Sequence, residues 1–514
     1  MGRYWGCGER DRAGGAASAS GLSGLESVGL PAGALGGGSS SGCGLASRAE
    51  SEDEKPAHIK TICIIGAGAA GLAALKTVLD TPQFKSSLWK PVVFEARHEV
   101  GGVWLPDALP TSPLPETPLY DSLTTNLPHP VMCFPSFPFP PSTPVFPAAC
   151  HVQRYLESYA AHFNLRPFIR VNTAVRAVRW EAPKWKVHLS PDDSEILDFD
   201  LVIVANGHHA IPRYPDVPGI DAWLAAKKAS HSVHYRRPSY LGDKILVVGA
   251  GPSGTDIAAE MRPSCKMLIR SVTGAASDDS GPVKIRGRTT AFGADGQVHF
   301  ADGSVEPGID HCILATGYQV SVPFLPDALV HPGLSRPCPP LPDTLHNSSY
   351  NLFPLAHHLF PIQRAFPPTT LVFMGLPVRV APLPIMEAQA AALLHFFAHP
   401  AAYDADAAAA GVLARYAELG GAPAAVARAW SVLTFDEQFA YQDRLYELAG
   451  VGTRVPQWRK DMYAAKALLR SFWVELERRG EADAWVRGVG ENGAQDWVDL
   501  LYRLLRAAEE WECA

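Results

Sequence analysis

The sequence predicts an α/β protein with two Rossmann-like parallel sheets, the second inserted in the first, and a helical C-terminal region. Three observations predict it. Short apolar runs lead twice into a glycine-rich turn and then a helix start, at Thr61–Leu75 and Lys244–Met261. Further apolar runs ending in a glycine follow each of these units, as parallel strands do. From about residue 395 onward the chain is rich in alanine and carries apolar stripes at helical spacing. At 514 residues it exceeds one ordinary domain, and 47% hydrophobic against 19% charged is a globular balance.

Composition also excludes functions. A net charge of -7 gives no electrostatic footprint for nucleic acid or an anionic membrane. Nine cysteines form no CxxC pair, so neither a zinc site nor a redox disulfide is suggested, and a reducing compartment is the simpler reading. No apolar run reaches the roughly 18 residues of a membrane span. The N-terminus lacks the basic and apolar regions of a signal peptide, so a cytoplasmic location is expected.

Taken in order, residues 1–57 are rich in Gly, Ser and Ala and close on Glu50-Ser51-Glu52-Asp53-Glu54. Such a segment buries too little apolar surface to offset its ordering entropy, so a disordered extension is expected. The run Thr61-Ile62-Cys63-Ile64-Ile65 then enters Gly66-Ala67-Gly68-Ala69-Ala70-Gly71, with helix formers directly after. Gly66 permits the tight turn, Gly68 lets the backbone approach a pyrophosphate, and Gly71 lets the helix pack close to its strand. The next strand, Pro91–Phe94, ends at Glu95, about twenty residues past the turn, where a carboxylate can accept both ribose hydroxyls. It would repel a 2′-phosphate, so this site suits the adenosine half of FAD or NAD. Gly101-Gly102-Val103-Trp104 follows, then a wall dense in proline and aromatic residues from Tyr120 to Pro140.

Val152, Tyr155, Leu156, Tyr159, Ala160 and Phe163 fall on one helical face. Phe168–Trp180 and Trp185–Leu189 read as a hairpin or small meander, and Leu201–Gly207 as another buried strand. After a proline-marked crossing comes the second unit, Gly249-Ala250-Gly251-Pro252-Ser253-Gly254-Thr255-Asp256. Its second strand ends in Arg270 and Ser271 instead of an acid. Arg270 can pair its planar fork with a 2′-phosphate, so this site should prefer NADPH. Thr370–Leu376 reads as one more buried strand, and Pro384–Leu394 as a helix carrying Glu387 and Gln389. Two later stripes, Leu468, Leu469, Phe472, Trp473, Leu476 and Trp497, Leu500, Leu501, Leu504, Leu505, read as core-facing helices. Domain limits follow: 1–57 extension, 58–207 and 315–400 the two parts of a first dinucleotide domain suited to FAD or NAD, 208–314 an NADPH domain, 401–514 a helical region completing the first.

These residues resemble the flavin-containing monooxygenases, in a soluble, fungal-type form. The resemblance rests on the two glycine turns, on GG-x-W at Gly101–Trp104, and on L-x-T-N at Leu123–Asn126 ahead of a Phe-Pro run. It also rests on an ATG-Y strand at Ala315–Tyr318, on a first strand of that type at Leu201–Gly207 in which Asn206 replaces the usual threonine, and on E-x-Q at Glu387–Gln389. It covers roughly Thr61 to Leu394, and Phe439–Gly450 more loosely. The resemblance implies that Gly102, Val103, Trp104, Thr125, Asn126 and Leu127 lie beside the isoalloxazine ring. It further implies that Asn126 steadies the reactive intermediate and the nicotinamide, and that Gln389 stands near the pyrimidine edge. The family signature F-x-G-x-x-x-H-x-x-x-(F/Y/W) is kept here only at His231 and Tyr235, with Ala225 and Lys227 replacing Phe and Gly. A tyrosine at its last place fits the N- and S-oxidising members better than the Baeyer–Villiger branch.

The implied activity is a monooxygenase in which NADPH reduces FAD and the reduced FAD takes up O2 as a flavin hydroperoxide. An amine nitrogen or a thioether or thiol sulfur of a small substrate then attacks the distal oxygen. No metal is called for. Two other readings stay open on the residues alone. A pyridine nucleotide–disulfide reductase shares the two-turn plan but needs paired cysteines, which are absent. A nucleotide-binding scaffold without turnover draws its support from the altered signature. The sequence is silent on oligomeric state.

Overall fold

The first sheet has five parallel strands in the order Leu371–Phe373, Leu201–Val204, Lys60–Ile65, Trp89–Phe94, Ile169–Arg170. They belong to a computed structural model that describes residues 59–107, 114–191 and 194–513. The extension expected over 1–57 lies outside the described residues.

A parallel sheet must be covered on both faces, and the central strand shows how this one is. Ile62 and Ile64 point into a core shared with the helices Ala69–Asp80, Ala149–His162 and Pro382–Ala398. Cys63 and Ile65 point the other way, into a core with Val178, Trp185, Val187 and Phe199. That second cover is an antiparallel meander of Val175–Glu181, Lys184–Leu189 and Glu195–Phe199.

The second sheet repeats the plan with Lys284–Arg286, Met267–Ser271, Lys244–Val248, His311–Leu314 and Ala229–His231, all parallel. Helix Pro252–Met261 covers one face through Ile257, Ala258 and Met261. Trp223, Phe292, Val298 and Phe300 cover the other.

The chain leaves the first sheet after Val204, builds the second, and returns to lay Leu371–Phe373 beside Leu201–Val204. The outgoing and returning crossings touch each other, because Ile211–Pro212 pairs antiparallel with Tyr318–Gln319. The second sheet is thus inserted between two neighbouring strands of the first.

Three local expectations are corrected. Phe168–Trp180 is not one strand. Ile169–Arg170 extends the first sheet, the chain breaks at Asn172, where φ is +52°, and the meander starts at Val175. The meander's third strand, Glu195–Phe199, goes beyond the expected pair, since its EILDF is only five residues long, with Phe199 alone fully buried. The helix expected over Pro384–Leu394 runs from Pro382 to Ala398 and is buried nearly all round, as its apolar circumference requires. The two C-terminal stripes are buried as expected, on helices Lys466–Arg479 and Ala494–Cys513, which pack together.

Candidate active site

The first glycine turn is held by contacts that leave its helix start open. Gly66 sits at φ +100°, and a Cβ there would lie 2.7 Å from the Ala205 carbonyl oxygen. A Cβ on Gly71 would collide with the Gly66 carbonyl oxygen, so the helix packs on its own turn. Glu95 lies buried beside the turn. It accepts the Ala67 N–H at 2.6 Å on one oxygen and the Arg97 N–H at 2.9 Å on the other. The strand-end acid therefore also fixes the turn it was expected to serve. Gly68 faces Gly102: a Cβ on Gly102 would stand 2.8 Å from the Gly68 Cα. The GG-x-W segment is thereby laid against the fingerprint, and Gly101 donates its N–H to the Ala67 carbonyl at 3.0 Å. Ala69 and Ala70 open the helix.

The second turn repeats this geometry with one difference. Gly249 has φ +129° and backs onto the Ala315 carbonyl, and a Cβ on Gly254 would lie 2.5 Å from the Gly249 carbonyl oxygen. At Gly251, however, a Cβ would meet nothing within 4 Å. The middle glycine is filled from the protein side in the first turn and opens on free space in the second. Both helices lack a side-chain cap and an acidic residue in the first turn. Their leading N–H groups are therefore available to an anion, which is the fit a diphosphate requires.

Arg270 donates Nη2–H to the Thr255 hydroxyl at 3.1 Å, while its buried Nε has no partner. The guanidinium is thus steered toward the helix start with donors to spare. Ser271, its neighbour at the strand end, is buried and donates to the Gly287 carbonyl while accepting from Thr289, so it is a strand tie. Asp256 accepts from the Tyr120 hydroxyl at 2.6 Å, and burial, with this bond second, raises that phenol's pKa. Ser253 and Thr255 stand beside it on the first turn of the helix.

Asn126 is presented between two anchored neighbours. Thr125 is buried, donates its N–H to Pro147 and its hydroxyl to the Leu127 carbonyl, and Leu127 is in the core. The Asn126 side chain between them is exposed. Val103 is also exposed and Trp104 half-buried. Gln389 differs from a surface contact: it is fully buried, accepts the Gly375 N–H at 3.0 Å and donates to the Tyr441 hydroxyl at 2.9 Å. It thereby fixes Gly375, where a Cβ would lie 3.5 Å from the Ala70 Cβ.

Two organising residues, Arg97 and Arg236, carry no sequence signal of their own, whereas His231 and Tyr235 belong to the signature. Arg97 donates to the carbonyls of Gly102, Leu105 and Pro106 and pairs with Glu116, clamping the GG-x-W segment. Arg236 pairs with Asp107 at 2.7 Å, and Tyr120 reaches Asp256, so this segment is tied to the second sheet as well. His231 is buried and joins Val233 N–H to the Gly317 carbonyl; burial lowers its pKa to about 4. Tyr235 donates to Glu260 at 2.6 Å.

Lys227 explains the altered signature. Helix Ile220–Ala225 ends with Lys227 N–H on the Leu224 carbonyl and Lys228 N–H on the Trp223 carbonyl. This is a Schellman ending, which places a left-handed residue where the signature has glycine. Lys227 sits there at φ +57°. The turn survives with lysine at a conformational cost.

Two parallel dinucleotide-type sheets, one inserted in the other and each with an open glycine turn, define an oxidoreductase of the two-nucleotide class. The comparisons narrow it. The Flavin-binding monooxygenase-like family model matches residues 59–277. The thiol-specific monooxygenase of Saccharomyces cerevisiae is 31% identical over 349 residues, 66% of this chain and 77% of that protein. The flavin-containing monooxygenase FMO GS-OX5 of Arabidopsis thaliana is 34% identical over 292 residues, 51% of this chain and 61% of that one. Among solved structures, S-allyl-L-cysteine S-oxygenase from Allium sativum superposes with a TM-score of 0.67 at 25% identity, covering 82% of this chain and 98% of that one. Tmm from Pelagibacter sp. strain HTCC7211 shares the fold, with a TM-score of 0.62 at 19% identity. The chain belongs to the flavin-containing monooxygenase family and is a flavin-dependent monooxygenase. No helix among the described residues is long and apolar enough to cross a membrane.

Proposed function

We propose that this enzyme oxygenates the sulfur of a small thioether or thiol, with FAD on the first glycine turn and NADPH on the second. The observation that carries the cofactor assignment is the contrast between the two strand ends. Glu95 offers a buried carboxylate for ribose hydroxyls, and Arg270 offers unpaired guanidinium donors beside the open Gly251. Opposite ribose preferences describe a hydride route from NADPH to a flavin. The choice of sulfur over nitrogen draws on the thiol-specific and S-oxygenating relatives.

Bound FAD supplies the hydride acceptor and the oxygen chemistry, and the chain supplies placement. Gly66, Ala67, Gly68, Ala69, Ala70 and Gly71 hold the FAD diphosphate on the helix start, and Arg97 keeps Gly102, Val103 and Trp104 against it. Gly249, Gly251, Ser253, Gly254 and Thr255 hold the second dinucleotide. Asp256 supports that helix through Tyr120. Asn126, fixed by Thr125 and Leu127, orients polar groups at the reacting face, and Gln389 sets Gly375 behind it. The domain limits 58–207, 208–314, 315–400 and 401–514 belong to this reading.

The test is to reconstitute the protein with FAD and supply NADPH, air and thioanisole. The reading expects stoichiometric methyl phenyl sulfoxide, with one oxygen atom from 18O2. NADPH consumption without labelled sulfoxide, and with an N-oxide from dimethylaniline instead, would overturn the sulfur assignment.

A further inference from the structure

Resting on the cofactor assignment above, we infer that Tyr120 is a positioning residue for hydride transfer. It holds the helix of the second glycine turn in register with the segment that carries Asn126. Tyr120 lies in the chain between two neighbouring strands of the first sheet, Trp89–Phe94 and Ile169–Arg170. Its side chain belongs to the other sheet. The ring is buried in the core that Ile245, Val247, Ile257 and Ala258 form against the second sheet, and Leu123 packs on the same core. It stands edge-on to Tyr235, with ring centroids 5.8 Å apart. The hydroxyl donates to Asp256 at 2.6 Å, on helix Pro252–Met261. Gly251 caps that helix, so the bond ends little more than one turn from the open glycine.

The other end is fixed to the first sheet. The Tyr120 carbonyl accepts the Leu123 N–H at 3.0 Å, closing a turn. Beyond it the chain pairs with the stretch that leads into helix Ala149–His162. The Leu123 carbonyl accepts the Ala149 N–H at 3.0 Å, Thr124 bridges Ala148, and Thr125 donates its N–H to the Pro147 carbonyl at 3.0 Å. That helix is packed in the first sheet's core through Val152, Tyr155 and Leu156. Asn126, the next residue, is exposed. A short run of hydrogen bonds thus joins the second turn's helix to Asn126.

Attachment alone does not require this bond. Arg236 pairs with Asp107 at 2.7 Å, donates to the Thr117 carbonyl at 3.3 Å and accepts the Asp121 N–H on its own carbonyl at 2.8 Å. Those contacts tie the segment to the second sheet without touching helix Pro252–Met261, which Tyr120 does reach. Burial, and the bond to Asp256 after it, raise the phenol's pKa, so the proton stays on Tyr120 and the residue is a tie, not an acid.

Hydride transfer depends steeply on placement, and a misplacement of about 1 Å can cost on the order of 100-fold. The contacts that bind the second dinucleotide, Gly249 to Thr255 and Arg270, all lie on the second sheet's side. Loss of the Tyr120 bond should therefore separate rate from affinity.

The experiment compares wild type, Tyr120→Phe, Asp256→Ala and the double variant, all loaded with FAD. Stopped flow reads flavin reduction at saturating NADPH, and calorimetry reads the Kd of NADP+. The long-wavelength absorbance of a nicotinamide stacked on a flavin reads placement directly. Tyr120→Phe keeps the buried ring and should lower the limiting reduction rate about 10- to 100-fold and weaken that absorbance. Its NADP+ Kd should stay within about threefold of wild type, the signature of lost placement without lost binding. The double variant should reduce flavin no more slowly than Asp256→Ala alone, because both changes remove one bond. An unchanged rate and absorbance in Tyr120→Phe, a Kd that rises as much as the rate falls, or additive losses in the double variant overturns the inference and leaves the cofactor assignment standing. FAD-loaded wild type that NADPH does not bleach overturns the assignment and this inference with it.

Discussion

Replacing Gly251 by alanine separates the work a glycine does for a ligand from the work it does for the fold. A Cβ at Gly251 meets nothing within 4 Å, and the residue has φ -71°, which alanine adopts freely. The folded chain should accept it with a stability change of about 0.5 kcal/mol in either direction, since lost unfolded-state entropy offsets a weaker N-cap. The same Cβ occupies the space into which a diphosphate must come to reach the helix N–H groups. Losing one charge-assisted bond of about 1.5–3 kcal/mol predicts a rise of about tenfold to a hundredfold in the NADPH KM. Gly249→Ala is the contrast. Its Cβ collides with the Ala315 carbonyl at φ +129°, and it should destabilise or misfold the chain. The assay is a thermal melt and a flavin spectrum on each variant, followed by NADPH steady-state kinetics. Gly251→Ala with an unchanged NADPH KM and a lowered melting temperature would refute the assignment.

Four further outcomes follow from single sites. Arg270→Gln should lower the preference for NADPH over NADH about 10- to 100-fold, the worth of a charged hydrogen bond, and an unchanged ratio in steady-state kinetics would dismiss Arg270 as the phosphate reader. Lys227→Gly should stabilise the chain by about 0.5–1 kcal/mol, because φ +57° suits glycine, and denaturant titration reads this directly. Asn126→Ala should leave NADPH oxidation running while sulfoxide falls and hydrogen peroxide rises, whereas parallel loss of both would contradict its role. His129 is buried between Phe139 and Trp497, and burial lowers its pKa to about 3. The unfolded chain, with a histidine pKa of about 6.5, then binds the extra proton, so stability is full above that value and falls as pH drops toward 3. His129→Phe should remove about 2 kcal/mol of the loss between pH 7 and pH 5, measured by melts at each pH.

The sequence made the site legible wherever one residue type has one mechanical use. Gly66, Gly71, Gly249 and Gly254 could be read because only glycine tolerates the approaching carbonyls. Glu95 and Arg270 could be placed because each ends the strand that follows a glycine turn, and each bonds beside that turn. The buried strands Lys60–Ile65, Leu201–Val204 and Leu371–Phe373 announced themselves as continuous apolar runs. What stayed hidden acts across long chain separations. Arg97, Arg236 and Arg470 look like surface arginines until folding sets their carbonyl, carboxylate and hydroxyl partners around them. Gln389 was read as a cofactor contact, and its two bonds to Gly375 and Tyr441 could not be seen before the helices were placed. The loss of glycine at Lys227 looked like decay, yet the Schellman hydrogen bonds of its helix remain.

The most direct test of the account follows one turnover of the FAD-loaded enzyme by stopped flow. NADPH is mixed first, and air-saturated buffer second, without and then with thioanisole. The account predicts bleaching of the flavin by NADPH, faster than by NADH, then a near-ultraviolet transient that persists before oxidised flavin returns. Thioanisole should shorten that transient in proportion to its concentration and yield sulfoxide in equal amount. Reoxidation in one step, with no transient and no effect of the sulfide, would contradict the account and leave a reductase or oxidase in its place.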